Sequence, residues 1–520
     1  MFWADRIVEE IRSSRKPKNG EYFLIRDEKT LSGRVHVGSM RGVAIHGVVA
    51  EALTEKGAPN EYRFELNDFD PFDSVPAYLD AEKFNEHVGK PLYAVPSPES
   101  GFENYADYFG AEFVGVHKAT GFVPEYYRAT ELYRSGKMDH GIRTALERAA
   151  DIRRILKEVS GSEKDETWLP VSVICEQCGK MMTTSAYDFN GETVAYACDR
   201  ADECAGCRHT GRISPFGGAA KLFWKVDWAA KWVAQGIDIE GGGKDHSTRG
   251  GSRDVANHIA REVYNYEPPF DIPYEFFLVG GKKMSSSKGR GTSAKEMADL
   301  FPQQLFRLAL IGKDIREQVD IDPSGESVPR LYDWYDELAD HYKDGAGDDY
   351  ARLYMFCQLP AEQATPPTPW QMRFREVAFI VQMPHLELKK EAEITKGARL
   401  TEEEAQKLEE RARYAEFWLA TYAPPEFKYE LQREIPTVEL SESQRRALAA
   451  LAEYLIEPHS GEEIHARLHA LKTEVPVAPK ELFQALYRIF LNRDSGPKAG
   501  WFLAGLPHAF VLARLRDAAA

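Results

Sequence analysis

The stretch from Tyr22 to Leu66, YFLIRDEKTLSGRVHVGSMRGVAIHGVVAEALTEKGAPNEYRFEL, decides the fold. Tyr22-Phe23-Leu24-Ile25 is a short apolar run and reads as a strand. Ser32-Gly33-Arg34-Val35-His36-Val37-Gly38 is a turn punctuated by glycine. Val43 to Leu53 reads as a helix whose close-packing face is Val43, His46, Gly47 and Ala50. Tyr62-Arg63-Phe64-Glu65-Leu66 is the next strand. Strand, helix and strand in succession predict a parallel sheet, and ligands of such sheets gather beyond the carboxyl ends of the strands.

Residues 71–215 interrupt this pattern with aromatic-rich loops, a helix expected from Met138 to Val159 and a crowd of cysteines. The pattern resumes with a strand at Ile237-Asp238-Ile239, the run Gly241-Gly242-Gly243, a helix from Ser252 to Tyr264 and a strand at Phe276-Phe277-Leu278-Val279. Beyond about Pro323 the chain reads as helical. Thr401 with Glu404, and Ser441 with Gln444, are capping boxes that open helices. The charged run from Glu387 to Arg413 reads as a solvated helical pair, and 364–369 as a proline-rich turn.

Composition narrows the class. At 520 residues the chain is too long for one core. With 43% hydrophobic and 28% charged residues it has a globular composition, and no apolar run approaches the roughly 18 residues of a membrane span. Met1 to Ser14 reads as an amphipathic helix and not as a signal peptide, so a cytoplasmic location is expected. The net charge of −16 argues against indiscriminate nucleic-acid binding, and no DNA partner is expected. Of the six cysteines only Cys357 lies outside Cys175–Cys207, which points to metal more than to disulfides.

Three loops carry chemistry. In Ser32-Gly33-Arg34-Val35-His36-Val37-Gly38-Ser39, Gly33 and Gly38 let backbone approach a ligand, the following helix N-terminus favours phosphate, and His36 can donate to phosphate oxygens. Taken alone, the pattern reads better as a tight turn with a capping histidine. Lys282-Lys283-Met284-Ser285-Ser286-Ser287-Lys288-Gly289 gathers ammoniums and hydroxyls suited to a departing pyrophosphate. In Gly242-Gly243-Lys244-Asp245-His246, Asp245 suits ribose hydroxyls, and Gly250-Gly251-Ser252 opens a helix as a platform for an anion or purine. The plain alternatives are a basic surface turn and a glycine-rich turn.

Taken together, His36-Val37-Gly38-Ser39 and Lys283-Met284-Ser285-Ser286-Ser287 resemble the His-Ile-Gly-His and Lys-Met-Ser-Lys-Ser motifs of class I aminoacyl-tRNA synthetases. Ser39 in place of the second histidine, and Lys288 displaced by two positions, resemble the lysine-specific group of that class. So do Phe2-Trp3-Ala4-Asp5, Lys221-Leu222-Phe223-Trp224-Lys225-Val226-Asp227-Trp228 and Gly500-Trp501-Phe502-Leu503, so the resemblance spans nearly the whole chain.

It implies a lysine-tRNA ligase that uses ATP, Mg²⁺ and tRNA(Lys). His36, Lys283 and Lys288 would be catalytic. ATP would contact Ser32, Gly33, His36, Gly38, Ser39, Gly243, Asp245, Gly250, Gly251, Ser252 and the loop Lys283, Met284, Ser285, Ser286, Ser287 and Lys288. Trp224 and Tyr274, with Thr30 and His246 nearby, would hold lysine, and Glu28, Asp68 and Asp70 are candidates to pair with its ε-ammonium. Read without the resemblance, Trp224 and Tyr274 are core residues.

Cys175-x2-Cys178 is a zinc half-site; spacing favours Cys204 and Cys207 as its complement, while the resemblance favours Cys198 and Cys207. Four thiolates would make Zn²⁺ structural. The expected fold is α/β: a Rossmann-like catalytic domain split by a zinc-containing insertion and followed by an all-α anticodon-binding region. The expected boundaries are 1–75 and 219–282 for the two catalytic halves and 76–218 for the insertion, with the zinc module near 172–212. Residues 283–335 would form the lysine-serine loop and stem-contact region, and 336–520 the helical region. The rivals are a class I synthetase for glutamate or cysteine, and a non-catalytic synthetase-like tRNA-binding protein.

Overall fold

The computed structural model describes residues 1–199, 204–282, 292–345, 347–363, 365–383 and 386–520. The chain divides into two compact units, Met1–Ile321 with Leu338–Thr365, and Asp322–Glu337 with Pro366–Ala520.

The first unit is built on the expected parallel sheet. Strand β1 (Phe23–Thr30) pairs in parallel with β2 (Asn60–Asn67), in a register that sets Ile25 beside Tyr62 and Thr30 beside Asn67. Helix α1 (Met40–Glu55) makes the crossover between them and is buried along most of its length. Its Gly47 is needed for that packing, because a Cβ there would lie 2.4 Å from the ring of Phe122.

A third parallel strand, β3 (Glu125–Arg128), joins β2 after helix α2 (Tyr105–Thr120). It falls inside the stretch read as an interruption, so the sheet continues further into that stretch than the sequence suggested. Its exposed and half-buried residues carry no alternating apolar signal. On the other side of β1 the sheet is carried by parallel bridges from Ile25 to Ile239 and from Ile239 to Phe270. The spatial order is therefore β3, β2, β1, the Ile239 segment and the Phe270 segment. That is a Rossmann-type order, with its switch point between β1 and Ile239.

The helix expected from Met138 to Val159 is two helices, α3 (Asp139–Glu147) and α4 (Ala149–Ser160). Arg148 leaves helical geometry at φ −105°, ψ 24°, which kinks the chain where its apolar stripe stays continuous. A small antiparallel sheet of β4 (Thr184–Phe189), β5 (Val194–Cys198) and β6 (Thr210–Ile213) carries the cysteines. It is not a separate body: Cys175, Cys198 and Tyr196 share a core with Ile152, Trp232 and Ile259.

In the second unit the described residues from Pro366 onward form helices and one 3-10 turn. The capping boxes at Thr401 and Glu404, and at Ser441 and Gln444, both form. Leu448, Leu468, Leu482, Phe490, Phe502 and Leu515 centre its core. Among the described residues no helix is long and apolar enough to cross a membrane.

Candidate active site

A cavity of about 750 Å³ opens at the switch point. Its wall includes Asp27, Glu28, Lys29 and Thr30 from the end of β1, then Ser32, His36, Asp70, Lys221, Trp224 and Trp228. Gly241, Gly242, Gly243, His246 and Tyr274 complete the far side. Residues read separately from the first motif, from the glycine-rich motif and from the expected lysine pocket thus meet around one space. Gly33, Gly38, Ser39, Asp245, Gly250, Gly251 and Ser252 lie in the adjoining backbone and are not on that wall.

The first motif turns sharply because Gly33 has φ +147°, and a Cβ there would fall 2.5 Å from the Tyr78 hydroxyl. His36 is the N-cap of a 3-10 turn, Val37–Ser39, that feeds α1. The segment after the lysine-serine loop is bonded to this motif: Val37 N donates to Thr292 O at 3.3 Å, and Ala294 N to Val35 O at 2.8 Å. Lys283, Met284, Ser285, Ser286, Ser287 and Lys288 themselves lie outside the described residues.

One side wall is aromatic. Trp224 begins helix α5 (Trp224–Gln235), is 48% exposed, and stacks on Trp228 with centroids 5.9 Å apart. His246 sets its edge against both rings, at 5.7 and 5.9 Å, and its Nδ1 lies 2.9 Å from the Ser252 hydroxyl. Ser252 is therefore engaged with His246. Tyr274 reaches the cavity through a parallel pairing that aligns it with Gly243, and burial pushes its phenol up.

Beneath the cavity runs a connected ion-pair network that the sequence reading did not identify. Arg26 pairs with Glu28, with Glu65 at 2.8 Å and with Glu240 at 2.5 Å. Lys231 pairs with Glu65 at 2.5 Å, Asp227 at 2.8 Å and Glu28 at 3.6 Å. Lys221 pairs with Asp70 and, at 3.6 Å, with Asp227. Within these pairs five carboxylates face three cations, and Lys29 and Arg253 act on Asp70, Glu28 and Glu240 from beside them. The most exposed members are Glu28, at 32%, and Asp70, at 24%.

Burial opposes the charges on Arg26, Glu65, Asp70, Lys221 and Lys231, and their partners overcome it, whereas burial raises the Glu240 carboxyl in spite of Arg26. Burial raises the Glu65 carboxyl, yet Lys231 and Arg26 hold it at about 2. Asp70 is likewise brought below its ordinary value by Lys221 and Thr30 against the cost of burial. Lys29, on the same wall, is lowered by desolvation, although Asp70, Glu28 and Asp27 pull it upward. A local sign of the network in the sequence is the Asp227 and Lys231 spacing on one helix face.

Among the three carboxylates expected to meet an ammonium, Asp68 is corrected. It is buried, accepts hydrogen bonds from Thr130 N at 2.9 Å and Thr130 Oγ1 at 2.5 Å, and does not line the cavity. Glu28 and Asp70 do line it.

The thiols of Cys175, Cys178, Cys198 and Cys207 lie within 4.8 Å of one another. Cys175 and Cys207 are 3.6 Å apart and Cys178 and Cys198 are 3.7 Å apart. Cys204 is not in this group. The second unit holds its own cavity of about 910 Å³, lined by Phe379, Phe427, Tyr429, Trp501 and Phe502 with Arg373, Arg375 and Lys498.

A profile described as tRNA synthetases class I (K) matches residues 1–358. A lysine–tRNA ligase 1 of Methanosarcina acetivorans is 35% identical, covering 100% of this chain and 98% of the relative. A lysine–tRNA ligase of Archaeoglobus fulgidus is 32% identical over the whole of both chains. A solved glutamate tRNA ligase from Elizabethkingia meningosepticum aligns with 96% of this chain and 99% of its own, at 11% identity and a TM-score of 0.43, a likeness too loose to bear on function.

Proposed function

The chain belongs to the class I (K) tRNA synthetases, and from that premise we propose that it is a lysine–tRNA ligase, as its relatives are named. Lysine's carboxylate attacks the α-phosphorus of ATP, pyrophosphate leaves, and the lysyl group passes from the adenylate to a ribose hydroxyl at the end of tRNA(Lys).

Glu28 and Asp70, the two most exposed carboxylates of the network and both on the cavity wall, are the observation that carries the lysine assignment. An ammonium entering there gains carboxylate partners, whereas a glutamate side chain meets like charge. The aromatic wall of Trp224 and Tyr274, with Thr30 and His246, suits the aliphatic stem and attracts the cation at its end.

ATP would lie between the first motif and the Gly241–Gly243 turn. Its phosphates would sit near Ser32, Gly33, His36, Gly38 and Ser39, and its ribose and base near Gly243, Asp245, Gly250, Gly251 and Ser252. Catalysis is mainly positioning and charge stabilisation: His36 on the α-phosphate side, and Lys283 and Lys288, with Met284 to Ser287 between them, on the leaving pyrophosphate that Mg²⁺ accompanies.

Cys175, Cys178, Cys198 and Cys207 fit a structural Zn²⁺. A tetrahedral site with Zn–S bonds of about 2.3 Å spaces its sulfurs about 3.8 Å apart, close to the 3.6 and 3.7 Å separations of the two closest pairs. With four thiolates no position is left for substrate, so the metal would staple the insertion. The helices of the second unit suit an anticodon-binding region, its cavity offering aromatic rings of the kind that stack unpaired bases, with Arg373, Arg375 and Lys498 set among Asp333, Glu337, Glu376 and Glu391. A cytoplasmic setting accords with these substrates.

Aminoacylation of unfractionated tRNA with lysine, glutamate and cysteine in parallel tests the reading. Charging with lysine alone is expected. Charging with glutamate or cysteine instead would overturn the substrate while leaving the class.

A further inference from the structure

The parallel ladder between β1 and the Ile239 segment stops one step short of the nucleotide turn. Ile239 N donates to Leu24 O at 3.1 Å, and Arg26 N donates to Ile239 O at 3.0 Å. A continued ladder would next bond Gly241 N to Arg26 O. Instead Gly241 N donates to Nε2 of His46 at 2.8 Å. The amides on either side, of Glu240 and Gly242, bond Phe270 O at 3.1 Å and Ile272 O at 3.3 Å on the neighbouring segment. The strands part here to open the cavity, and a side chain from α1 fills the gap in the ladder.

The ring of His46 is fully buried and held at its other nitrogen. Nδ1 lies 2.8 Å from Gly42 O and 3.2 Å from Asp27 Oδ2. Both are acceptors, so Nδ1 carries the proton and Nε2 presents a lone pair to Gly241. Asp27 is on the cavity wall, and a Cβ on Gly42 would meet the Tyr274 hydroxyl at 2.5 Å and Asp27 Oδ2 at 3.0 Å. One buried histidine thus ties the lysine side of the cavity, through Asp27, to the first residue of the nucleotide turn.

We propose that His46 is a positioning residue for nucleotide binding, fixing the Gly241–Gly243 turn through the Gly241 amide without itself touching substrate. The proposal rests on the reading that ATP occupies this turn. The groups facing the ring are Asp27 from β1, Glu240 from the Ile239 segment, Tyr62 from β2 (centroids 6.1 Å apart) and Tyr274 beyond Gly42. Burial lowers the His46 pKa, but Asp27 outweighs it and the value rises above the ordinary one. As the pH falls through that value, Nε2 takes a proton and Gly241 N–H loses its acceptor. ATP affinity should therefore weaken toward acid.

The test is the ATP dissociation constant, measured by calorimetry on the full chain for wild type, His46→Gln and His46→Phe, with pyrophosphate exchange alongside. His46→Phe fills the space without an acceptor and should weaken ATP about tenfold while the Michaelis constant for lysine moves less than about twofold. His46→Gln offers a non-titrating amide oxygen near the position of Nε2. It should recover most of that loss and remove the weakening toward acid expected of wild type. Unchanged ATP affinity in His46→Phe, or a wild-type pH dependence in His46→Gln, overturns the proposal. If thermal unfolding shows that His46→Phe does not fold, the comparison of wild type with His46→Gln decides. Wild type that binds ATP but exchanges no pyrophosphate with any amino acid would count against the proposed reaction, and the ATP constants would still decide the role of His46.

Discussion

The amide of Val37 donates to the carbonyl of Thr292 at 3.3 Å, which joins the first phosphate motif to the chain emerging from the lysine-serine loop. The two motifs lie far apart in sequence, yet the second returns to the fold beside His36, which bridges to Ser293. Thr292 and Ser293 are thereby fixed next to the histidine assigned to the transferring phosphate.

Both sides of this junction should then act on the chemical step. His36→Ala and Lys283→Ala are each expected to lower the rate of lysine-dependent pyrophosphate exchange by about 10²–10³-fold. The dissociation constant for lysine should move little. A rate within about threefold of wild type in both variants would remove these residues from the catalytic assignment.

Glu28 is the most exposed carboxylate of the buried network. Glu28→Gln removes one negative charge without changing shape, and the Michaelis constant for lysine is expected to rise about tenfold or more. That for ATP should stay within about twofold. Equal effects on both substrates would indicate a collapsed pocket and no specific reading of the ammonium.

Lys231 is fully buried among Glu65, Asp227 and Glu28. Lys231→Met leaves those carboxylates uncompensated and should cost about 3–5 kcal/mol of stability, read by urea unfolding. The pH dependence follows the same carboxylates. Glu65 is held at about 2 in the folded chain, below its ordinary value, so its contribution is present above about pH 4.5 and is lost as the pH falls toward 2. Unfolding followed in that window should show stability falling with pH, and Glu65→Gln should flatten the slope.

Zinc content separates the four clustered cysteines from Cys204. Elemental analysis should find one zinc per chain in wild type and in Cys204→Ser, and little in Cys198→Ser. Loss of zinc from Cys204→Ser, with retention in Cys198→Ser, would exchange the two ligands.

The legible parts of the molecule were those with local signals. Tyr22 to Leu66 announced a parallel crossover because its strands are apolar and its turn is marked by Gly33 and Gly38. Thr401 with Glu404 and Ser441 with Gln444 marked helix starts, because a capping box is complete within four residues.

The illegible parts depend on partners distant in sequence. Arg26, Glu65 and Lys231 are charged residues, and one sequence gives no reason to bury them until Glu240, Asp227 and one another are brought near. His46 read as part of a packing face, because the missing ladder bond at Gly241 is a property of two diverging strands. Asp68 looked equivalent to Asp70, and only the fold turns it toward Thr130.

Activation of lysine in this cavity is read by pyrophosphate exchange with each standard amino acid, with and without unfractionated tRNA. Exchange is expected with lysine and with no other amino acid. Exchange with a different amino acid, or with none under either condition in folded protein, would contradict it.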